Sequence, residues 1–214
     1  MAKGMTGLRS PQRKHVQARK TEQHMQTSLR GIANRATLDS QHRFGGLCGL
    51  LNGANLRWCF GRMNRNAAPG VDAVDWQEYA AALDENVDQL VDDLKGHRYH
   101  ARLVRRHYIP KGTGRRPLGI PVVGDKLLQS CCAEILNAIF EQDFLACSHG
   151  YRRGHGPRKA ALELSQTLHR GRFRWVLDAD ISGFLEASTY YTPIHAAFLP
   201  CRSKGPNMLL KHLL

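Results

Sequence analysis

Apolar residues recur along this chain at intervals that predict a mostly helical protein with a small amount of strand. Trp76, Tyr79, Ala80, Leu83, Val87, Leu90, Val91 and Leu94 return at helical spacing and predict one helix from Asp75 to Gly96. Asp75 and Glu78 have the spacing of a capping box at its start, and Lys95 suits its negative end. Leu127, Leu128, Cys131, Cys132, Ile135, Leu136, Ile139, Phe140 and Phe144 form a second, broader stripe, with Asp125 placed to cap it after Gly124. A third helix is expected from Pro157, a favourable first position, through Ala160, Ala161, Leu164 and Leu168 to a stop at Gly171. Leu47–Met63 is weakly patterned, and Asn66, Pro69 and Gly70 break any helix after it.

Strand periodicity occurs in three places. Leu103–Ile109 and Arg116–Ile120 predict a hairpin whose loop runs from Pro110 to Arg115. Arg172–Gly183, RFRWVLDADISG, predicts a core strand in which Phe173, Trp175, Leu177, Ala179 and Ile181 share one face. Val176, Asp178 and Asp180 share the other. Two carboxylates on one face of a strand end suit Mg²⁺, which takes few protein oxygens and completes its shell with water and phosphate.

The 214 residues and 42% hydrophobic content allow one sizeable domain, or a smaller one with a loose extension. Charge sharpens this picture. Lys and Arg number 31 against 18 acidic residues, a formal charge of +13 that fits a polyanionic partner, most simply nucleic acid. Residues 1–43 contain nine Lys or Arg against Glu22 and Asp39 and read as a basic, partly disordered RNA-binding leader, with helix between Val16 and Leu38. No run reaches the roughly 18 apolar residues of a membrane span, and the polar, basic start is unlike a secretory signal. The expected location is the cytoplasm or an organellar matrix. The six cysteines form no C-x-x-C pair or disulfide framework and are expected to be reduced.

The hairpin region gathers Arg98, Arg102, Arg105, Arg106, Lys111, Arg115 and Arg116, cationic donors suited to phosphate oxygens; a solvated basic hairpin is the plain alternative. Tyr151-Arg152-Arg153 sets an aromatic ring beside two guanidinium groups, a combination that can stack on a base and hold its backbone. His149, His155 and His169 with Cys147 match no structural zinc spacing. P-loop, G-x-G-x-x-G and G-x-S-x-G motifs are absent, as is any internal repeat.

Four ordered segments carry a resemblance: NRNAAPGVDAVDW (64–76), YIPKGTGRRPLGIPVVGDKLLQ (108–129), IFEQDFLACSHGYRRGHGPRKAAL (139–162) and WVLDADISGF (175–184). Together they resemble the amino-terminal blocks of group II intron-encoded reverse transcriptase/maturases, over residues 64–186. The resemblance implies an α+β fold comprising right-hand polymerase fingers with a basic β-hairpin and adjoining palm helices (44–171) and the first strand of an incomplete palm (172–186). It implies that Asp180, with Asp178 beside it, binds catalytic Mg²⁺. Lys111 and Arg116, helped by Arg115, would contact the phosphates of an incoming deoxynucleoside triphosphate. The Ser148–Gly154 block, with Tyr151, Arg152 and Arg153, would lie near template and primer, although Arg153 stands where the family usually has proline.

The implied chemistry is transfer of a nucleotide to a primer 3′-hydroxyl on an RNA template, with two metal ions stabilising the attacking and leaving oxygens. The implied partners are structured intron RNA, RNA template with DNA primer, and deoxynucleoside triphosphates. The family's downstream A-D-D carboxylates are missing, and residues 187–214 diverge from its palm pattern, as a truncation or a frame change would produce. The expectation is therefore a reverse-transcriptase fragment inactive in isolation, unless a second chain supplies the missing palm. A non-catalytic RNA-binding fingers module or maturase remnant is the alternative, and a retron or defence-associated reverse-transcriptase fragment a minor one.

Overall fold

The computed structural model describes residues 11–171, 173 and 175–179, with only the backbone described for 11–24 and Lys111. It is a helix-rich α+β structure with six α-helices among the described residues: α1 (Pro11–Leu38), α2 (Gly53–Arg62), α3 (Trp76–Ala81), α4 (Leu83–Lys95), α5 (Val123–Phe140) and α6 (Pro157–Arg170). One hairpin, β1 (Arg105–Lys111) and β2 (Gly114–Ile120), is the sheet among these residues. The described residues divide into two compact units, 11–32 with 48–137, and 33–47 with the described residues from 138 to 179.

In the first unit the core forms where the apolar stripes meet. Leu127, Leu128, Cys131 and Ile135 of α5 are fully buried, as are Leu56 of α2, Val87 of α4 and Met25 of α1. Phe60 of α2 stacks on Trp76 of α3 with centroids 4.7 Å apart. Asn52 caps α2 by accepting from the Asn55 backbone N–H at 3.0 Å. The neighbouring Cys131 thiol together with burial pushes the pKa of the buried Cys59 thiol far up. Burial likewise pushes Cys132 up to about 12, so these thiols act as small apolar groups. In the second unit Phe44, Leu47, Ile139 and Phe140 are buried.

Three expectations need correction. The helix expected from Asp75 to Gly96 is broken at Ala82 (φ −115°, ψ 33°) into α3 and α4. Periodicity survives such a break because both pieces face the same core. Asp75 does cap α3, accepting from the Glu78 N–H at 2.8 Å. The expected six-residue hairpin loop is a two-residue turn, since the ladder runs from Arg105↔Ile120 to Lys111↔Gly114. Gly112 supplies the positive φ (57°) such turns require. The helix expected between Val16 and Leu38 of the leader is present as α1, which buries Met25 and Ala36; residues 1–10 lie outside the described residues.

The third correction concerns the Asp-bearing strand. Phe173 and Trp175–Ala179 have no regular secondary structure, and Trp175 and Leu177 are each 92% exposed. A strand needs a neighbour to satisfy its backbone, and none pairs with this segment among the described residues. The remainder of that segment, including Asp180, and the divergent tail lie outside the described residues.

Gly70 shows why one conserved-looking turn has its composition. A Cβ there would stand 2.6 Å from Val122 Cα and 2.7 Å from its nitrogen, so only glycine lets the 64–76 loop meet the backbone entering α5. Gly61, in α2, has open space around its missing Cβ. Gly70→Ala should therefore lower unfolding free energy by about 1–3 kcal/mol in urea denaturation. Gly61→Ala should raise it by roughly 0.5–1 kcal/mol. Equal effects at both sites would contradict the close packing at Gly70.

Candidate nucleic-acid interface

The hairpin owes its basic character to a pleat that sends arginines to both faces. Arg105, His107 and Ile109 stand opposite Ile120, Leu118 and Arg116, and in an antiparallel pair opposite residues share a face. Arg106, Tyr108 and Pro110, opposite Gly119, Pro117 and Arg115, form the other. Arg105 and Arg116 therefore share one face, and Arg106 and Arg115 the other. Lys111 closes the ladder through its backbone pairing with Gly114. All four arginines are exposed, and Tyr108 keeps 51% of its surface. Sequence reasoning passed over Tyr108, whose strand position between Arg106 and the turn offers a base-stacking ring among cations.

What holds this hairpin at its base is a carboxylate expected to do something else. Asp125 lies within the first turn of α5, and its side chain is buried at 5% exposure. It accepts the Tyr99 hydroxyl at 2.7 Å on one oxygen and the Arg102 backbone N–H at 3.0 Å on the other. Arg102 is three residues before β1, so the approach to the hairpin is tied to the helix that follows it. Burial and the bond to Asp125 push the Tyr99 phenol well above its ordinary range, keeping it a donor. Arg102 also lies 3.7 Å from Asp72, and Arg98 lies 3.6 Å from Asp93. These two arginines face internal carboxylates and the wall of a cavity of about 570 Å³ that Tyr79, Tyr99 and Asp125 also line. Lys126 reaches the Ala68 carbonyl, and burial, with Arg105 nearby, lowers its pKa.

Tyr151, Arg152 and Arg153 belong to the second unit, in the turn-rich stretch before α6. Arg152 is built into that stretch. Its guanidinium gives two hydrogen bonds to Glu141 Oε1 (3.0 and 2.6 Å), one to the Leu145 carbonyl (2.9 Å) and one to the Ser148 carbonyl (2.8 Å). It also lies 4.8 Å over the Phe144 ring, with its side chain only 9% exposed. A planar fork suits this task, because one group closes several carbonyls of a short loop. Tyr151 is 80% exposed and has a positive φ of 54°, uncommon for a residue with a side chain. Arg153 is exposed.

Asp178 is exposed and lies in the irregular segment described above. Among the described residues no group of three or more His, Cys, Asp or Glu side chains could hold a metal ion. With Asp180 outside them, the described residues do not form the Mg²⁺ site that the resemblance implies. No described helix is long and apolar enough to cross a membrane.

Known proteins similar to this chain point in one direction. The group II intron-encoded protein LtrA of Lactococcus lactis subsp. cremoris is 35% identical over 135 residues, 61% of this chain and 22% of its own length. This likeness links the chain to a group II intron-encoded protein. Protein YkfC of Escherichia coli K12 is 35% identical over 123 residues, 55% of this chain and 32% of its own length. An uncharacterized 91 kDa protein in the cob intron of Schizosaccharomyces pombe is 32% identical over 102 residues, 47% of this chain and 12% of its own. The chain thus spans about a third of the length of YkfC and about a fifth of LtrA. No family model matches it.

The two kinds of arginine predict separable defects. Arg152→Ala should remove four loop hydrogen bonds and increase amide exchange across 144–156 by at least about tenfold, a local loss of ~1.4 kcal/mol or more. Asp125→Ala should leave the Tyr99 hydroxyl without its acceptor, lower stability by about 1–3 kcal/mol and speed exchange across the hairpin 105–120. Unchanged hairpin exchange in that variant would show that the strand pair is held some other way.

Proposed function

We propose that this chain is the fingers portion of a group II intron reverse transcriptase/maturase, with the β1–β2 hairpin as its phosphate-binding element. In the complete family enzyme the activity is RNA-directed DNA synthesis, in which a primer 3′-hydroxyl attacks the α-phosphate of a deoxynucleoside triphosphate. Mg²⁺ would supply charge stabilisation for that transfer. The contribution of this chain's own residues is binding and alignment. Arg116 and Lys111, helped by Arg115, hold the triphosphate, while Arg105 and Arg106 extend the cationic surface along the hairpin. Tyr151 and Arg153 contact template or primer from the loop that Arg152 braces. Asp180, with Asp178 near it, is the proposed metal-binding pair.

The observation that carries this reading is the exposed hairpin, with arginines on both faces and its approach pinned by Asp125, inside the region 35% identical to LtrA. Structured intron RNA is the proposed polyanionic partner. A second reading, an RNA-binding fingers module without synthesis, is favoured by the irregular, exposed Asp178 segment.

Filter binding and primer extension with the purified chain distinguish the readings. Arg105→Ala with Arg116→Ala should weaken binding to structured RNA and reduce the slope of log affinity against log salt by roughly 0.7–0.9 per lost contact. Asp180→Ala should leave RNA affinity unchanged and abolish any Mg²⁺-dependent extension that the parent chain supports. Binding without extension supports the module reading. A salt slope that survives loss of both arginines sinks the hairpin as the phosphate-binding element.

A further inference from the structure

We infer that His149 and His155 form a latch that holds the Ser148–Gly156 loop closed only while the pair carries no more than one positive charge. Their Nδ1 atoms face each other at 3.3 Å, and His149 Nε2 lies 3.0 Å from Glu163 on α6. The His149 side chain is 12% exposed.

Proton counting sets the behaviour. Glu163 keeps a proton on His149 Nε2 as its hydrogen-bond donor. Only one proton fits between the two Nδ1 atoms, donated by either ring to the lone pair of the other. The neutral pair satisfies this, and a third proton on the outer nitrogen of His155 leaves it intact. A fourth proton must go to the second Nδ1, where two N–H groups then point at each other. The contact therefore breaks when both rings become imidazolium.

The surrounding charges separate the two steps. Glu163 faces His149, while Glu141, Arg152 and Lys159 act on His155. The second step is opposed by desolvation, by Lys159 and Arg152, and by the neighbouring imidazole, which together lower the His155 pKa from its ordinary value of 6.5. A histidine whose folded pKa is lowered stabilises the folded arrangement above its unfolded pKa and loses that contribution as pH falls. The loop is thus closed at neutral pH and opens as the second step is passed, below pH 6.5.

Closure matters because the latch spans Tyr151, whose positive φ of 54° is held by its surroundings, and Arg152, whose bonds reach back to Glu141. Releasing His155 frees the carboxyl side of the loop and leaves the Arg152 anchor on the amino side. The latch does not depend on which nucleic acid the loop meets, and its test uses none.

The experiment is an imidazole ¹⁵N and backbone amide NMR titration of the full chain from about pH 7.5 to 4.5, with His155→Gln alongside. The expected result in the parent is two separated imidazole steps, with amides 148–156 shifting together at the lower one. His155→Gln keeps a side chain able to donate or accept but cannot charge, so the lower step and the shared amide shift should vanish. Should that variant not fold, His149→Gln removes the same step from the other partner. Independent titration of both rings near 6.5, or amides 148–156 moving identically in the variant, would overturn the latch.

Discussion

A carboxylate at 5% exposure in the first turn of α5 is the constraint on which the first unit's outward features depend. Burying a charge is costly unless donors replace the lost water. Asp125 meets this demand with a phenol and a backbone N–H from the segment leading into β1. On the other side of the same turn, Gly70 brings the 64–76 loop against Val122 at a distance no side chain allows. Two loops and the hairpin approach therefore converge on the start of one helix, whose remaining length is committed to the core.

This arrangement divides the arginines by environment. Arg98 and Arg102 face internal carboxylates, Arg57 bonds Asp84 and Asp88 at 2.7 Å each, and Arg152 closes its own loop. Arg105, Arg106, Arg115 and Arg116 remain at the surface on an open strand pair. The formal charge of +13 is thus not spread evenly in effect. Paired guanidinium groups hold loops, and the exposed ones set the field that a phosphate backbone would meet.

Much of the family likeness is borne by residues with architectural duties in this structure. Gly70 permits a backbone approach, Asp75 caps α3, and Asp125 anchors the hairpin approach. Such residues make a motif recognisable because each answers a steric or hydrogen-bonding demand that few other side chains meet. The likeness is correspondingly informative about local form. The Asp178 segment, proposed to bind metal, lacks regular structure where it is described.

The sequence by itself determined the helices of the apolar stripes, the Asp75 cap, Pro157 as the opening of α6 and the hairpin's existence and cationic content. These follow from periodicity and local chemistry, which neighbouring residues settle among themselves. Tertiary structure decided the break at Ala82, the two-residue turn and the roles of Asp125 and Arg152. It also placed Leu164 and Leu168 of α6 at the surface. It alone brought His149 against His155 and Glu163. Spacing along the chain says which side chains could share a face. Whether an aspartate caps a helix or anchors a distant loop depends on which donors the fold delivers to it, and those lie 23 and 26 residues away.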